Sequence, residues 1–156
     1  MAMAITLREY LTQTRVPYDV VSHPYTSNSM QTAEVAHIPG DQLAKSIVLE
    51  DEKGYLMVVV PATHRIDLNR LQQQFNRHFE FATEEEVADL FDDCDLGAIP
   101  PIGEAYGIDV LLDDSLAMSP EIYFEAGDHT ELIHLDGEDF LLLMAGAKHG
   151  QVSQHI

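Results

Sequence analysis

The chain has 156 residues, 46% of them hydrophobic, which is enough for one domain with a buried core. Its 8 basic and 27 acidic residues give a formal net charge of −19, which argues against a broad nucleic-acid surface because phosphate affinity comes mainly from Lys and Arg. A single cysteine, Cys94, excludes an internal disulfide. No signal segment and no apolar run of the ~18 residues that span a membrane is visible, so we expect a cytoplasmic protein.

The N-terminal part of the chain predicts two helices and a strand. Residues 5–15 show helical spacing of apolar residues, with Thr6 as the expected N-cap and Glu9 as its capping-box partner. Residues 18–21 indicate a short strand. Residues 31–40 predict a second helix that begins with a capping threonine and stops at a Pro-Gly pair.

A hairpin and two helices are predicted next. The apolar segments "SIVLE" and "YLMVVVP" flank the turn sequence "DEKG", and the unbroken apolar run of the second indicates a strand buried on both faces. Residues 67–75 predict a helix. Residues 82–91 predict another, with Thr83 and Glu86 as its capping box.

The C-terminal third predicts three strands and a closing helix. The strand segments are "IDVLLD", "EIYFEA" and "ELIHLD", and the helix is "GEDFLLLMAG". We expect residues 147–156 to form a polar, frayed tail after a domain at 1–146. The order of elements predicts a single compact α+β domain with a mixed, mostly antiparallel sheet flanked by helices, and the hairpin argues against a doubly wound parallel sheet.

The segment "GAIPPIG", Gly97 to Gly103, predicts a stiff apolar loop. Pro100 and Pro101 fix their own φ and donate no backbone hydrogen bond, so the segment is neither helix nor central strand. The loop is either a plain connector or a wall that holds a few backbone N–H groups in place.

Two charged or titratable side chains, Lys45 and His129, are open to more than one interpretation. Lys45 lies in the apolar segment "LAKSIVL", where its stem either runs along the core toward water or holds an anionic or carbonyl-bearing ligand. His129 follows a glycine in a turn, where it is either solvated or an acid–base group.

Cys94 lies among aspartates that raise a thiol pKa, so we do not expect it to be a nucleophile. No zinc-type spacing, nucleophile elbow or phosphate loop is present, so we expect no metal and no cofactor.

Four longer segments taken together resemble the YbaK/prolyl-tRNA-synthetase-associated domain family, the aminoacyl-tRNA editing domains. The resemblance runs from about His23 to about Met144. The segments are "HPYTSNSMQTAEVAHIPGDQLAKSIVL", "VVVPATHRIDLNRL", "LFDDCDLGAIPPIGEAYGIDVLLDDSL" and "IYFEAGDHTELIHLDGEDF". The resemblance implies a partly closed, barrel-like α+β fold and a deacylase that hydrolyses the ester of mischarged tRNA in trans, in translation quality control.

The resemblance also implies roles for particular residues. Lys45 matches the family's lysine and would hold the aminoacylated terminal adenosine, while His129 would bind the substrate amino group or position a water. The glycine–proline loop would stabilise the oxyanion, and a substrate hydroxyl would help to activate water. The expected catalytic residues are Lys45, Gly97, Ala98, Ile99 and His129. The expected substrate-binding residues are Tyr25, Met30, Ser46, Ile47, Pro100, Pro101, Gly103, Gly127 and Asp128.

The expected partners follow from the same resemblance. They are the acceptor end of a mischarged tRNA and, as a further candidate, an aminoacyl-tRNA synthetase, with no membrane and no DNA. The strong negative charge keeps an alternative open, in which the chain is a non-catalytic module that binds a small aminoacyl-like ligand or a protein partner.

Overall fold

A computed structural model describes residues 3–26 and 28–156. Residues 1 and 2 of the expected domain, and residue 27 of the first family-like segment, lie outside the described residues. The helices are α1 (Ile5–Thr14), α2 (Ser29–Val35), α3 (Leu68–Phe75), α4 (Glu84–Leu90), α5 (Asp114–Ala117) and α6 (Gly137–Leu143). None of the described helices is long and apolar enough to cross a membrane.

In the described part of the chain, ten strands form one large sheet and one small one. They are β1 (Asp19–Ser22), β2 (Leu43–Asp51), β3 (Gly54–Pro61), β4 (His64–Ile66), β5 (Glu80–Phe81), β6 (Asp109–Asp113), β7 (Glu121–Glu125), β8 (Glu131–Asp136), β9 (Lys148–Gly150) and β10 (Ser153–His155). The large sheet has the order β1-β8-β7-β2-β3-β6-β9, with β5 paired to β2, and β4 pairs with β10.

The sheet is mixed and mostly antiparallel, which confirms the predicted α+β class. The predicted hairpin of β2 and β3 is antiparallel, as are β7–β8 and β1–β8. The pairs β2–β7, β3–β6 and β6–β9 are parallel. Strand β2 is therefore central, with β3 on one side and β7 on the other.

Apolar side chains cover both faces of the central hairpin. On β3, Met57 and Val59 join one core cluster, whereas Val58 and Val60 join a second cluster on the other face. Since all four are fully buried, the prediction of a strand buried on both faces is confirmed.

The helix caps confirm one prediction and correct two. Thr83 and Glu86 form the predicted capping box of α4. The N-cap of α1 is Ala4, so Thr6 lies inside the first turn, where its backbone N–H donates to the Asp93 carboxylate at 2.9 Å. The cap of α2 is Asn28, whose side chain accepts from the Gln31 backbone N–H, so the predicted start of this helix at residue 31 is two residues late.

The prediction of a frayed tail is wrong, because residues 148–155 complete both sheets. Strand β9 extends the large sheet beside β6, and β10 pairs with β4. Between them Val152 is fully buried, and its N–H donates to the buried Asp113 carboxylate at 2.9 Å. The tail is polar in sequence, but one buried valine and backbone pairing hold it to the core.

Candidate active site

Lys45 lies on β2 at the edge of an open cleft of about 180 Å³. Because Ala44 pairs with Phe124 in the parallel ladder of β2 and β7, Lys45 and Glu125 are the next residues on the two strands. The N-terminus of α2 and the glycine–proline loop form the other walls. The lining residues are Asn28, Ser29, Ala44, Lys45, Ser46, Gly97, Ile99 and Glu125.

The ammonium of Lys45 is half-buried and only weakly held. Its Nζ donates to the carbonyl of Ala62 at 3.3 Å, and burial lowers the pKa of Lys45 from its usual value. An ammonium with little water and one long hydrogen bond retains donors for an oxygen of a bound ligand. The position is therefore suited to a phosphate or carbonyl oxygen.

Two residues of the glycine–proline loop, Gly97 and Ile99, line this cleft. Gly97 adopts φ +82°, a conformation that favours glycine. The Ala98 N–H donates to the Asp95 carbonyl at 3.1 Å, so the expectation that Ala98 offers this group to a ligand is wrong in this structure. The Ile99 N–H, by contrast, finds no acceptor within residues 3–26 and 28–156.

The turn between β7 and β8 fixes the loop in position. The Asp95 N–H donates to the Gly127 carbonyl at 2.8 Å, and the Nε2 atom of His129 is bonded to the Leu96 carbonyl. Since a carbonyl only accepts, Nε2 of His129 carries a proton and donates it to this bond. His129 is buried and has φ +62°, so it is a bonded part of the turn rather than a solvated tip residue.

Gly127 and Asp128 maintain this turn from within. A Cβ at Gly127 would lie 2.9 Å from the Cβ of Ala4, which leaves no room for a side chain. The Oδ1 atom of Asp128 accepts from the backbone N–H groups of Thr130 and Glu131, each at 3.1 Å. Both residues therefore stabilise the turn that lies beside the cleft.

Glu125 is a site residue that the sequence did not reveal. Its side chain is 5% exposed, and the Thr32 hydroxyl donates to its Oε1 atom at 3.0 Å. Burial, with a smaller contribution from nearby Asp128, raises the pKa of Glu125 to about 7. The only sequence signal was an acid at the end of an apolar strand, directly before an Ala-Gly turn.

The unpartnered buried polar atoms of the described chain all belong to this region. Five buried side-chain atoms there have no hydrogen-bond partner, and their residues line the cleft, contact Glu125 or form the adjoining turn. They are His23 Nε2, Ser46 Oγ, Glu125 Oε2, Asp128 Oδ2 and His129 Nδ1. Because buried polar atoms normally have partners, such a concentration is typical of a site that receives a polar ligand.

A second, more apolar groove of about 220 Å³ adjoins the first. It shares Ser46, Gly97 and Ile99 with the Lys45 cleft, so these residues form the divide between the two. Ile47, predicted as a pocket residue, lines only the second groove. The remaining lining residues of this groove are Val48, Phe81, Ala82, Glu84, Val87 and Leu96.

Several predicted binding residues lie outside the cleft. Pro101 borders a different small crevice with Tyr10 and Leu143, and Gly103 packs tightly against Val110 and Met57. Neither residue is among those that line the Lys45 cleft or the second groove. Pro100 is buried and does not line either groove.

Two further predicted residues, Tyr25 and Met30, are largely exposed. The Tyr25 ring lies 5.3 Å from the His129 ring, which places it at the rim of the turn. Met30 is 50% exposed beside Gly40 and does not line the cleft.

The thiol of Cys94 is not a nucleophile. Burial and the neighbouring aspartates raise the pKa of Cys94 to about 12, which keeps the thiol protonated at neutral pH. This agrees with the sequence expectation. No group of three or more His, Cys, Asp or Glu side chains arranged for a metal ion occurs in the part of the chain that the structure describes.

Solved structures share this fold over nearly the whole chain. A candidate trans-editing enzyme for prolyl tRNA synthetase superposes with a TM-score of 0.84 at 25% identity, covering 97% of this chain and 96% of that one. A hypothetical protein, APE2540, gives 0.83 at 18% identity, covering 96% and 99%. A chain from work on epitope grafting onto scaffold proteins gives 0.83 at 21% identity, covering 98% and 97%.

One protein-family model matches most of the chain. A comparison with curated proteins gives no match. The family model described as the aminoacyl-tRNA editing domain matches residues 23–143, which span Lys45, the glycine–proline loop and the His129 turn. This chain belongs to the aminoacyl-tRNA editing domain family.

Proposed function

We propose that the protein is an aminoacyl-tRNA deacylase that hydrolyses the ester of mischarged tRNA in trans. Membership of the editing-domain family and the likeness to a candidate trans-editing enzyme support a deacylase role. The observation that supports the finer proposal best is the meeting of Lys45 and the acceptor-free Ile99 N–H in one cleft.

The proposed reaction is direct attack of water on the ester carbonyl. The water oxygen bonds to the carbonyl carbon, and the carbonyl becomes an oxyanion. The bond to the ribose oxygen then breaks, and that oxygen leaves with a proton as the tRNA hydroxyl. A backbone N–H held in place before the reaction stabilises the oxyanion without reorganising, and Ile99 supplies such a group.

Lys45 orients the substrate in this scheme. Its half-buried ammonium binds a phosphate or carbonyl oxygen of the terminal adenosine, since its single hydrogen bond to Ala62 leaves donors available. His129 acts through the loop in this scheme, because its Nε2 atom is bonded to the Leu96 carbonyl. A ribose hydroxyl of the substrate assists the water in this scheme, since no histidine of the described chain lines the cleft.

The net charge of −19 restricts how the protein holds tRNA. A surface with 8 basic residues attracts few phosphates, so the proposed contact is confined to the acceptor end. A synthetase that holds the body of the tRNA would then supply the remaining affinity.

A deacylation screen tests the proposal. The purified chain is incubated with tRNAs that carry wrong amino acids, beginning with alanyl- and cysteinyl-tRNA(Pro) and with seryl and threonyl mischarges. We expect ester loss above the spontaneous rate for some substrates and not for others. No loss for any of them, from a sample that unfolds cooperatively, contradicts the deacylase and favours the non-catalytic module.

A further inference from the structure

The carboxyl group of Glu125 has no part in the proposed reaction, although it lines the same cleft as Lys45. One oxygen, Oε1, accepts from Thr32 at 3.0 Å, whereas Oε2 is buried without a partner. No ion pair within 4.0 Å joins Glu125 to Lys45, which instead bonds to Ala62. The cleft is therefore lined by a buried carboxyl group, one oxygen of which has no hydrogen-bond partner in the described chain.

His23 lies behind this carboxyl group, away from solvent. Its side chain is fully buried, and Nε2 lies 4.0 Å from the Oε2 atom of Glu125. The Nδ1 atom is 2.8 Å from the Pro24 carbonyl, so Nδ1 donates to that carbonyl. At 4.0 Å, Nε2 and Oε2 are too far apart for a hydrogen bond, and neither atom has another partner in the described chain.

We propose that Glu125 binds the α-ammonium group of the aminoacyl moiety and so selects esters with a free amino group. The inference rests on the proposed function and deepens it. An ammonium has three donors, and the cleft offers it the Oε2 atom of Glu125 and the unpartnered Oγ atom of Ser46. An oppositely charged ligand also offsets the cost of burying a carboxylate.

The surroundings of Glu125 favour a cation over a neutral ligand. Asp128, in the turn after β7, adds negative charge, whereas Lys45 is held at Ala62. His23 and Thr32 complete the set of polar groups around the carboxyl. An N-acylated ester lacks the ammonium and brings extra bulk, so the site would reject peptidyl-tRNA and accept aminoacyl-tRNA.

The test measures binding and needs no turnover. The probes are two stable amides, 3′-alanylamido-3′-deoxyadenosine and its 3′-propanamido counterpart, which lacks only the amino group. For the wild-type chain we expect the amine-bearing probe to bind about tenfold or more tightly by calorimetry, as a hydrogen-bonded charge implies. For Glu125→Gln, which keeps the shape and loses the charge, we expect the two probes to bind within about twofold of each other.

One variant serves as a control for Glu125→Gln, and another replaces it if it does not fold. Glu121→Gln changes an exposed glutamate of the same strand and should keep the wild-type preference. If Glu125→Gln fails to fold, Thr32→Val replaces it, because loss of the hydroxyl at 3.0 Å removes the group that orients the carboxyl. Thr32→Val should reduce the preference at least severalfold.

The outcomes separate this inference from the proposed function. A wild-type chain that binds both probes equally, or binds neither, overturns the inference, and so does a preference that survives in Glu125→Gln. If the deacylation screen is negative while the amine preference is present and lost in Glu125→Gln, the ammonium site stands and the proposed catalysis fails. If esters are hydrolysed but the amine preference is absent, the proposed catalysis stands and the ammonium site fails.

Discussion

The Nε2 atom of His129 is hydrogen-bonded to the backbone carbonyl of Leu96, the residue before Gly97. This bond joins the turn after β7 to the loop in which Ile99 lines the cleft and its backbone N–H has no acceptor in the described chain. A second hydrogen bond, from the Asp95 N–H to the Gly127 carbonyl, joins the same turn to the same loop. The position of the Ile99 N–H therefore depends in part on the imidazole of His129.

The first prediction concerns this imidazole. His129→Asn keeps a residue type that tolerates the φ of +62° but is too short to reach Leu96. We expect kcat to fall by roughly tenfold to a hundredfold, as a displaced catalytic loop implies, with little change in KM. His134→Asn, on the neighbouring strand and outside the cleft, is the control and should have wild-type kinetics. Equal kinetics for the two variants would remove His129 from the mechanism.

The second prediction concerns Lys45. Lys45→Ala removes the half-buried ammonium, so we expect deacylation to fall by about a hundredfold or more, in line with the loss of a positioned electrostatic group. Stability should be retained, because burial of the charge is unfavourable in the free protein. Lys53→Ala, in the exposed turn of the hairpin, is the matched control. Wild-type activity in Lys45→Ala would contradict the assignment.

The third prediction compares two glycines with nearly the same backbone conformation. Gly97 has φ +82° and Gly107 has φ +76°, but only Gly97 borders the cleft. Valine at either position adopts a disfavoured conformation and should lower the free energy of unfolding by about 1–2 kcal/mol. Only Gly97→Val should also reduce turnover, beyond what the shared loss of stability explains. Parallel losses of activity in both variants would make the loop merely structural.

The fourth prediction follows from the raised pKa of Glu125, about 7 against the ordinary 4.5. The native state binds this proton more tightly than the unfolded chain does. The stability that the group contributes is therefore full below pH 4.5 and is lost as the pH rises through about 7. Glu125→Gln lacks this dependence. We expect the free energy of unfolding of the wild type to fall relative to the variant by up to about 3 kcal/mol between pH 4.5 and pH 8. A constant difference across this range, by denaturant titration, would refute the raised pKa.

The fifth prediction concerns the C-terminal strands. Val152→Ala leaves a cavity at a fully buried position between β9 and β10 and should lower the free energy of unfolding by about 1–2 kcal/mol. Ile156→Ala, at a 73% exposed position, should change it by less than about 0.5 kcal/mol. If the two variants are equally stable in urea, the tail is not part of the core.

Local patterns predicted most of the elements, because strong turn and capping signals act over a few residues. The hairpin around "DEKG" and the capping box of Thr83 and Glu86 depend only on neighbours in sequence, and both are present. Thr6 had an equally good local pattern. Its backbone N–H is instead taken by Asp93, 87 residues away, which no local pattern shows.

The sequence pointed to the cleft residues that belong to the family motif, but not to those outside the motif. Lys45, Gly97 and Ile99 line one cleft, as the resemblance implied. The sequence did not identify Glu125 as a site residue. Its environment depends on Thr32 of α2, which is 93 residues away along the chain and donates a hydrogen bond to it. Pro101 and Gly103 belong to the same motif, but Pro101 borders another crevice and Gly103 lies against Val110 and Met57.

The most direct test of the account is single-turnover deacylation of one mischarged tRNA by the wild type and by Lys45→Ala at the same enzyme concentration. The account predicts ester loss by the wild type well above the spontaneous rate and a rate close to spontaneous for Lys45→Ala, with both proteins unfolding at similar temperatures. Equal rates for the two proteins, or no ester loss by the folded wild type on any substrate of the panel, would contradict it.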